Sequence, residues 1–167
     1  MSQQIRGLKG GSGRHRVFRI LSLCDGCSVM SLLCRMMAQE FNVSYEVVVV
    51  EFDPICQQFV HWRFPEAANG WSSDVLDWAD PEFQPENWGN RFWFDLVVAG
   101  FPFQGLSSAH KSGRGLDGSR SGLFFDIWTV ICKLRRVNPA LDFFLECVDF
   151  SKNHPKHFDL VSKIAYS

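Results

Sequence analysis

Short apolar runs punctuate the chain at residues 17–23, 45–52, 95–99 and 142–147. Their β-branched and aromatic content predicts strands, and the scarcity of polar positions within them predicts burial on both faces. Longer stretches between them carry apolar residues at helical spacing. Residues 28–41 place Met30, Leu33, Cys34, Met37 and Phe41 on one stripe, and residues 122–136 do likewise with Leu123, Ile127, Val130, Ile131 and Leu134. Strands that alternate with helices predict an α/β fold, a parallel sheet joined by right-handed crossovers.

In such a sheet, ligands sit beyond the carboxyl ends of the strands. Asp25 and Gly26 follow the first apolar run, and Glu51 closes the second, roughly 20 residues or more beyond the glycine turn, which is a nucleoside-binding arrangement. The Gly-x-Gly-x-x-Gly pattern of a pyrophosphate site is absent, so a nucleoside without a pyrophosphate fits better than a dinucleotide. Each carboxylate has a structural alternative. Asp25 has the chemistry to cap the first helix, and Glu51 or Glu146 could simply face solvent at a strand end, because an unpaired buried carboxylate is costly.

The motifs at these strand ends resemble those of the DNA cytosine-5 methyltransferases. Leu21 to Gly26 (LSLCDG) is similar to the family's first motif, Glu51 stands where the family holds the ribose of S-adenosylmethionine, and Ser73, Asp74 and Val75 match the motif that faces adenine. Ala99 to Ser107 (AGFPFQGLS) resembles the Gly-Gly-x-Pro-Cys-Gln-x-x-Ser signature, with Gly100, Gln104 and Ser107 in place and Phe103 at the nucleophilic cysteine. Residues 113–126 (GRGLDGSRSGLFFD), with Arg114 and Arg120, look like the active-site loop, and Glu146-Cys147-Val148 stands where Glu-Asn-Val is expected. The resemblance implies a Rossmann-like sheet of the S-adenosylmethionine-dependent methyltransferase type, truncated at its C-terminus. It implies S-adenosylmethionine held by Asp25, Gly26, Glu51, Asp74, Val75 and Gly100, and Gln104, Ser107, Arg114 and Arg120 turned to nucleic acid. Glu146 would hold the cytosine. The departures are Cys24 for an aromatic residue, Met30 for a glycine, and above all Phe103, which has no lone pair to give.

Composition narrows the setting. A 167-residue chain with 46% hydrophobic content buries one core, so residues 17–150 are expected as one domain between a disordered basic lead (1–16) and a tail (151–167). No apolar run of ~18 residues predicts a membrane span. A net charge of -1 argues against coating nucleic acid by bulk electrostatics. Acids concentrate between Asp74 and Asp95, against Arg91 alone, and Lys111, Arg114 and Arg120 lie on the loop. Cysteines without a secretory signal point to a reducing compartment, an intracellular location, nuclear if the source is eukaryotic. Cys24-Asp25-Gly26-Cys27 also has thioredoxin spacing, with buried inert thiols as the plainer alternative; no histidine and cysteine spacing points to a metal. Trp71, Trp78, Trp88 and Trp93 are expected to pack a long loop rather than stack bases.

Three functions remain open on these grounds. One is a methyltransferase-like domain that binds S-adenosylmethionine with little or no catalysis, as the partner of an active relative or of a second chain that completes the fold, on DNA. Another is an active cytosine-5 enzyme using Cys147, since a related RNA-directed family takes its nucleophile from that strand. The last is a nucleoside-binding module of other chemistry.

Overall fold

A computed structural model of the chain describes residues 17–100, 115–117, 122–147 and 149–165. It contains a parallel sheet of five strands: β1 (Phe18–Leu23), β2 (Tyr45–Val50), β3 (Ala68–Asn69), β4 (Leu96–Gly100) and β5 (Asp142–Glu146), in the order β3-β2-β1-β4-β5. The helices are α1 (Val29–Phe41), α2 (Pro54–Arg63), α3 (Val75–Ala79), α4 (Leu123–Val137) and α5 (Pro155–Ala165). The chain walks outward from β1 to β3 and then returns to lay β4 on the other side of β1, with Leu21 opposite both Val48 and Val97. That reversal opens a crevice at the carboxyl ends of β1 and β4.

Side chains divide by strand face into two cores. Leu21, Leu23, Val48, Val50, Val97 and Ala99 meet Phe124, Ile127, Val130, Ile131 and Leu134 of α4, all buried as the helical spacing predicts. Trp78, on α3, is 1% exposed and sits within 6.5 Å, centroid to centroid, of Trp71, Phe83, Phe92 and Phe94, so Trp78 packs the loop as expected, whereas Trp71 and Trp88 stay 45 and 57% exposed. Lys133 is buried behind it and donates to the carbonyls of Ala79, Asp80 and Phe83, which satisfies the end of α3. Its burial and the nearby Arg136 lower its pKa.

The second core, with Ile20, Cys34, Val47, Val49 and Val60, is smaller and corrects two expectations. In α1 the stripe of Leu33, Met37 and Phe41 faces outward, at 44, 57 and 54% exposure, while Ser31 and Cys34 point to the sheet. Ser31 tolerates burial because its hydroxyl accepts from Ser28 Oγ at 2.5 Å. β5 is not buried on both faces either. It is an edge strand, its residues alternate between half-buried and exposed, and Phe144 is 58% exposed. Within residues 151–167, α5 returns to the main core through Val161 and Ile164, and His157 Nδ1 accepts from the Leu116 amide at 3.1 Å.

Candidate cofactor site

After β1, the Cys24 amide continues the ladder to the Val50 carbonyl at 2.9 Å, and the chain then turns with positive φ at Cys24, Gly26 and Ser28. Gly26, at φ 56°, has open space where a Cβ would stand, so its constraint is conformational rather than steric. The turn aims the Gly26 amide at Glu51, which accepts it on Oε2 at 2.7 Å. Oε1 of the same carboxylate accepts from the Asp53 amide at 2.9 Å. Asp53 caps α2 through the Ile55 amide at 2.7 Å, with Pro54 in the first turn. Glu51 is therefore held by two backbone donors from two separate turns, partly open to solvent at the end of β2.

Asp25 stands at the start of α1, near enough to Ser28 and the Met30 amide for both to favour its charged form. Its Oδ1 accepts from Ser22 Oγ at 2.6 Å, and its Oδ2 is buried with no hydrogen-bond partner among the described residues. Burial raises the carboxyl above its ordinary pKa, against the pull of Ser22, Ser28 and the Met30 amide and with help from Glu51. A buried acceptor without a donor costs stability unless something supplies one. A raised folded-state pKa means that Asp25 favours the folded state at low pH, and that this contribution is lost as pH rises through that pKa. Asp25→Asn should accordingly raise the melting temperature at pH 7. The gap should close below about pH 4, where aspartate is protonated in the unfolded chain as well; thermal melts of both proteins across that range check it.

Carboxylates crowd one thiol here. Burial first, then Glu51, Asp74 and Asp25, push Cys24 up to about 12. That is the reverse of an activated Cys-x-x-Cys thiol, and it runs against the thioredoxin-like alternative. Asp74 caps α3 through the Leu76 amide at 2.9 Å, and its own amide donates to Ser72 Oγ at 3.1 Å. Val75, its neighbour, is 4% exposed and its side chain belongs to the main core, so only its backbone is at hand for a ligand. Asp126, on α4, lies near enough to Asp74 for both that charge and burial to raise its pKa. Sequence reasoning missed it as a site residue, since it reads as one more acid in a helical stripe.

Gly100 ends β4 opposite Glu146, and a Cβ there would stand 3.5 Å from Glu146 Oε2 and 3.8 Å from the Cys24 carbonyl. The ends of β1, β4 and β5 thus meet around a residue with no side chain. Glu146 is exposed, whereas Cys147 is half-buried and packs against the main core. A cavity of about 440 Å³ runs past the end of β2, lined by Glu51, Gln57, His61, Asn69, Gly70 and Ser73 among others. Asp25, Gly26, Glu51, Asp74, Gly100 and Glu146 therefore share one edge of the sheet, while Phe103, Gln104, Ser107, Arg114 and Arg120 lie outside the described residues. Among the described residues no cluster suits a metal ion, and no helix is long and apolar enough to cross a membrane. The donor set is rich in acceptors, and its fixed glutamate and unmatched Asp25 oxygen suit a ligand carrying hydroxyls, amines and positive charge, as S-adenosylmethionine does.

A parallel sheet in this order, with acids at its strand ends, is the fold of S-adenosylmethionine-dependent methyltransferases. The carbon-methyltransferase domain of the citrinin polyketide synthase superposes with a TM-score of 0.52 at 10% identity, covering 91% of this chain and 34% of that one. A putative methyltransferase from Thermoplasma acidophilum aligns at 14% identity and a TM-score of 0.47, over 89% of this chain and 51% of its own. The family model for C-5 cytosine-specific DNA methylase matches residues 18–165, and the chain belongs to that family. The type II methyltransferase M.HpaII of Haemophilus parainfluenzae is 48% identical over 63 residues, which is 38% of this chain and 16% of that enzyme. This chain thus spans about half or less of the length of the structures it matches, and a smaller part of that enzyme. S-adenosylmethionine is the cofactor of the family.

Proposed function

We propose that this chain is a cofactor-binding member of the family with little or no catalysis of its own, acting on DNA as the partner of an active relative. One contrast carries the reading. The strand-end acids keep their register, with Glu51 oriented by Gly26 and Asp53, while Phe103 fills the position of the thiol. Glu51 would hold the ribose hydroxyls, Asp74 and the Val75 backbone the adenine, and Asp25 and Gly26 the remainder of S-adenosylmethionine, which when bound supplies an electrophilic methyl group. Leu33, Met36, Met37, Ile55 and Trp62 expose apolar area on the α1 and α2 face of the sheet, and such a surface supports a partner.

Calorimetry with S-adenosylhomocysteine tests the cofactor half of this reading. Binding is expected, and Glu51→Ala should weaken it by ~1 to 3 kcal/mol, the loss for charge-assisted hydrogen bonds. An unchanged affinity in the folded variant would remove Glu51 from the site. A second reading, catalysis by Cys147, draws on one observation: that thiol directly follows Glu146, which is in register with Gly100.

A further inference from the structure

A second cavity, of about 630 Å³, shares no residue with the cofactor set. It lies between α3 and the 3₁₀ turn at Pro85–Phe92, and its lining among the described residues is of two chemical kinds: the rings of Trp71, Phe83, Trp88 and Phe92, and the carboxylates of Asp77, Asp80 and Glu82, with Arg91 as a cation beside them. We propose that this cavity is a binding site for a methylated ammonium group, presented on a lysine side chain of a basic peptide.

The rings are arranged as walls. Trp71 stacks on Phe83 with centroids 5.0 Å apart at 28°, Phe83 meets Phe92 edge-on at 5.1 Å, and Trp88 meets Phe92 at 6.3 Å and 84°. Trp71 and Trp88 remain 45 and 57% exposed, so part of each indole is reachable from solvent. Aromatic faces attract cations through their quadrupoles, and a quaternary ammonium is desolvated far more cheaply than a primary one. The carboxylates add field of the right sign. Asp77 accepts from Ser72 Oγ at 2.5 Å and Asp80 from the Glu82 amide at 2.8 Å, which holds both acids in place. The nearest buried cation, Lys133, lies behind Phe83 with its ammonium committed to main-chain carbonyls.

A second observation is independent of the acids. The Arg91 guanidinium already sits 5.7 Å from the centroids of both Trp88 and Phe92, so these rings accept a cation in the free protein. Arg91 then acts as an internal competitor that a better-suited cation displaces. A nucleic acid is the poorer occupant, because its phosphates would face three carboxylates.

The full chain, labelled with 15N, is titrated with a short basic peptide bearing one trimethyllysine, and the indole N–H signals of Trp71 and Trp88 are followed. Saturable shifts of both are expected, with affinity about tenfold above that for the same peptide carrying the neutral tert-butyl isostere. Trp88→Ala, at an exposed position, and Glu82→Gln should each weaken binding several-fold, whereas Arg91→Ala should tighten it. Equal affinity for the isostere, no shift at either indole, weaker binding in Arg91→Ala, or competition by a single-stranded oligonucleotide would each overturn the proposal. None of these outcomes depends on whether S-adenosylhomocysteine binds.

Discussion

Trp78→Ala should cost about 3 to 5 kcal/mol, the range for removing a large aromatic side chain from a packed core. The indole is 1% exposed, stands edge-on to Phe83 and Phe92 at 5.7 and 5.6 Å, and donates from Nε1 to the Ser72 carbonyl at 3.1 Å. Gly70 is pressed so closely against it that a Cβ there would lie 3.0 Å from Trp78 Cζ2, which leaves the surroundings little room to collapse inward. Against a total stability of ~5 to 15 kcal/mol, such a loss brings the fold near its limit. Urea denaturation should show a much lower midpoint at an unchanged slope. Trp78→Phe should keep most of the packing and lose mainly the bond to Ser72, about 1 kcal/mol. Because Ser72 Oγ in turn receives the Asp74 amide, the alanine variant should also bind S-adenosylhomocysteine less well than its residual folding predicts.

The parts of this fold that were legible in the chain are those whose partners lie nearby in sequence or whose burial is complete. β1, β2 and α4 read correctly because Leu21, Leu23, Val48, Val50, Ile127 and Ile131 are all buried, so most of their inward positions are apolar. α1 misled because hydropathy reports which residues would gain from burial, not which face is covered. Leu33 and Met37 stay outside while Ser31 goes in, since a hydroxyl can bury once Ser28 bonds to it. Lys133 was invisible for another reason: its partners are carbonyls some 50 residues earlier in the chain, and no side-chain pattern encodes a carbonyl.

The candidate site divides in the same way. The placement of Asp25, Gly26, Glu51 and Gly100 was legible because each closes or follows an apolar run, so their order along the chain puts them at one end of the sheet. What the chain did not reveal was how each acid is held. Asp25 could cap the helix or meet a ligand, and its surroundings were hidden in the chain: Ser22 engages one oxygen, while the other is buried without a close donor among the described residues. Val75 matched its motif yet turns its side chain into the core, because α3 begins there and its first inward position must pack.

No covalent adduct should form when the chain meets a duplex containing 5-fluorocytosine together with S-adenosylmethionine. In this family a thiolate adds to carbon 6 of the base and carbon 5 takes the methyl group; elimination then needs the proton at carbon 5, and fluorine there leaves the protein bonded to the base. Phe103 has no electron pair for the first step, and losing a nucleophile typically lowers the rate by about 10⁴ or more. Cys24 does not replace it, since burial and three carboxylates push that thiol up to about 12 and keep it protonated. Cys147 stands next to Glu146 at the sheet edge, but it is half-buried and packed against the main core, which restricts its approach to a base. An adduct on denaturing gels that Cys147→Ser abolishes would transfer the chemistry to Cys147 and end the reading of this chain as a non-catalytic partner. An adduct that survives Cys147→Ser would sink both readings, because neither supplies another thiol for the base.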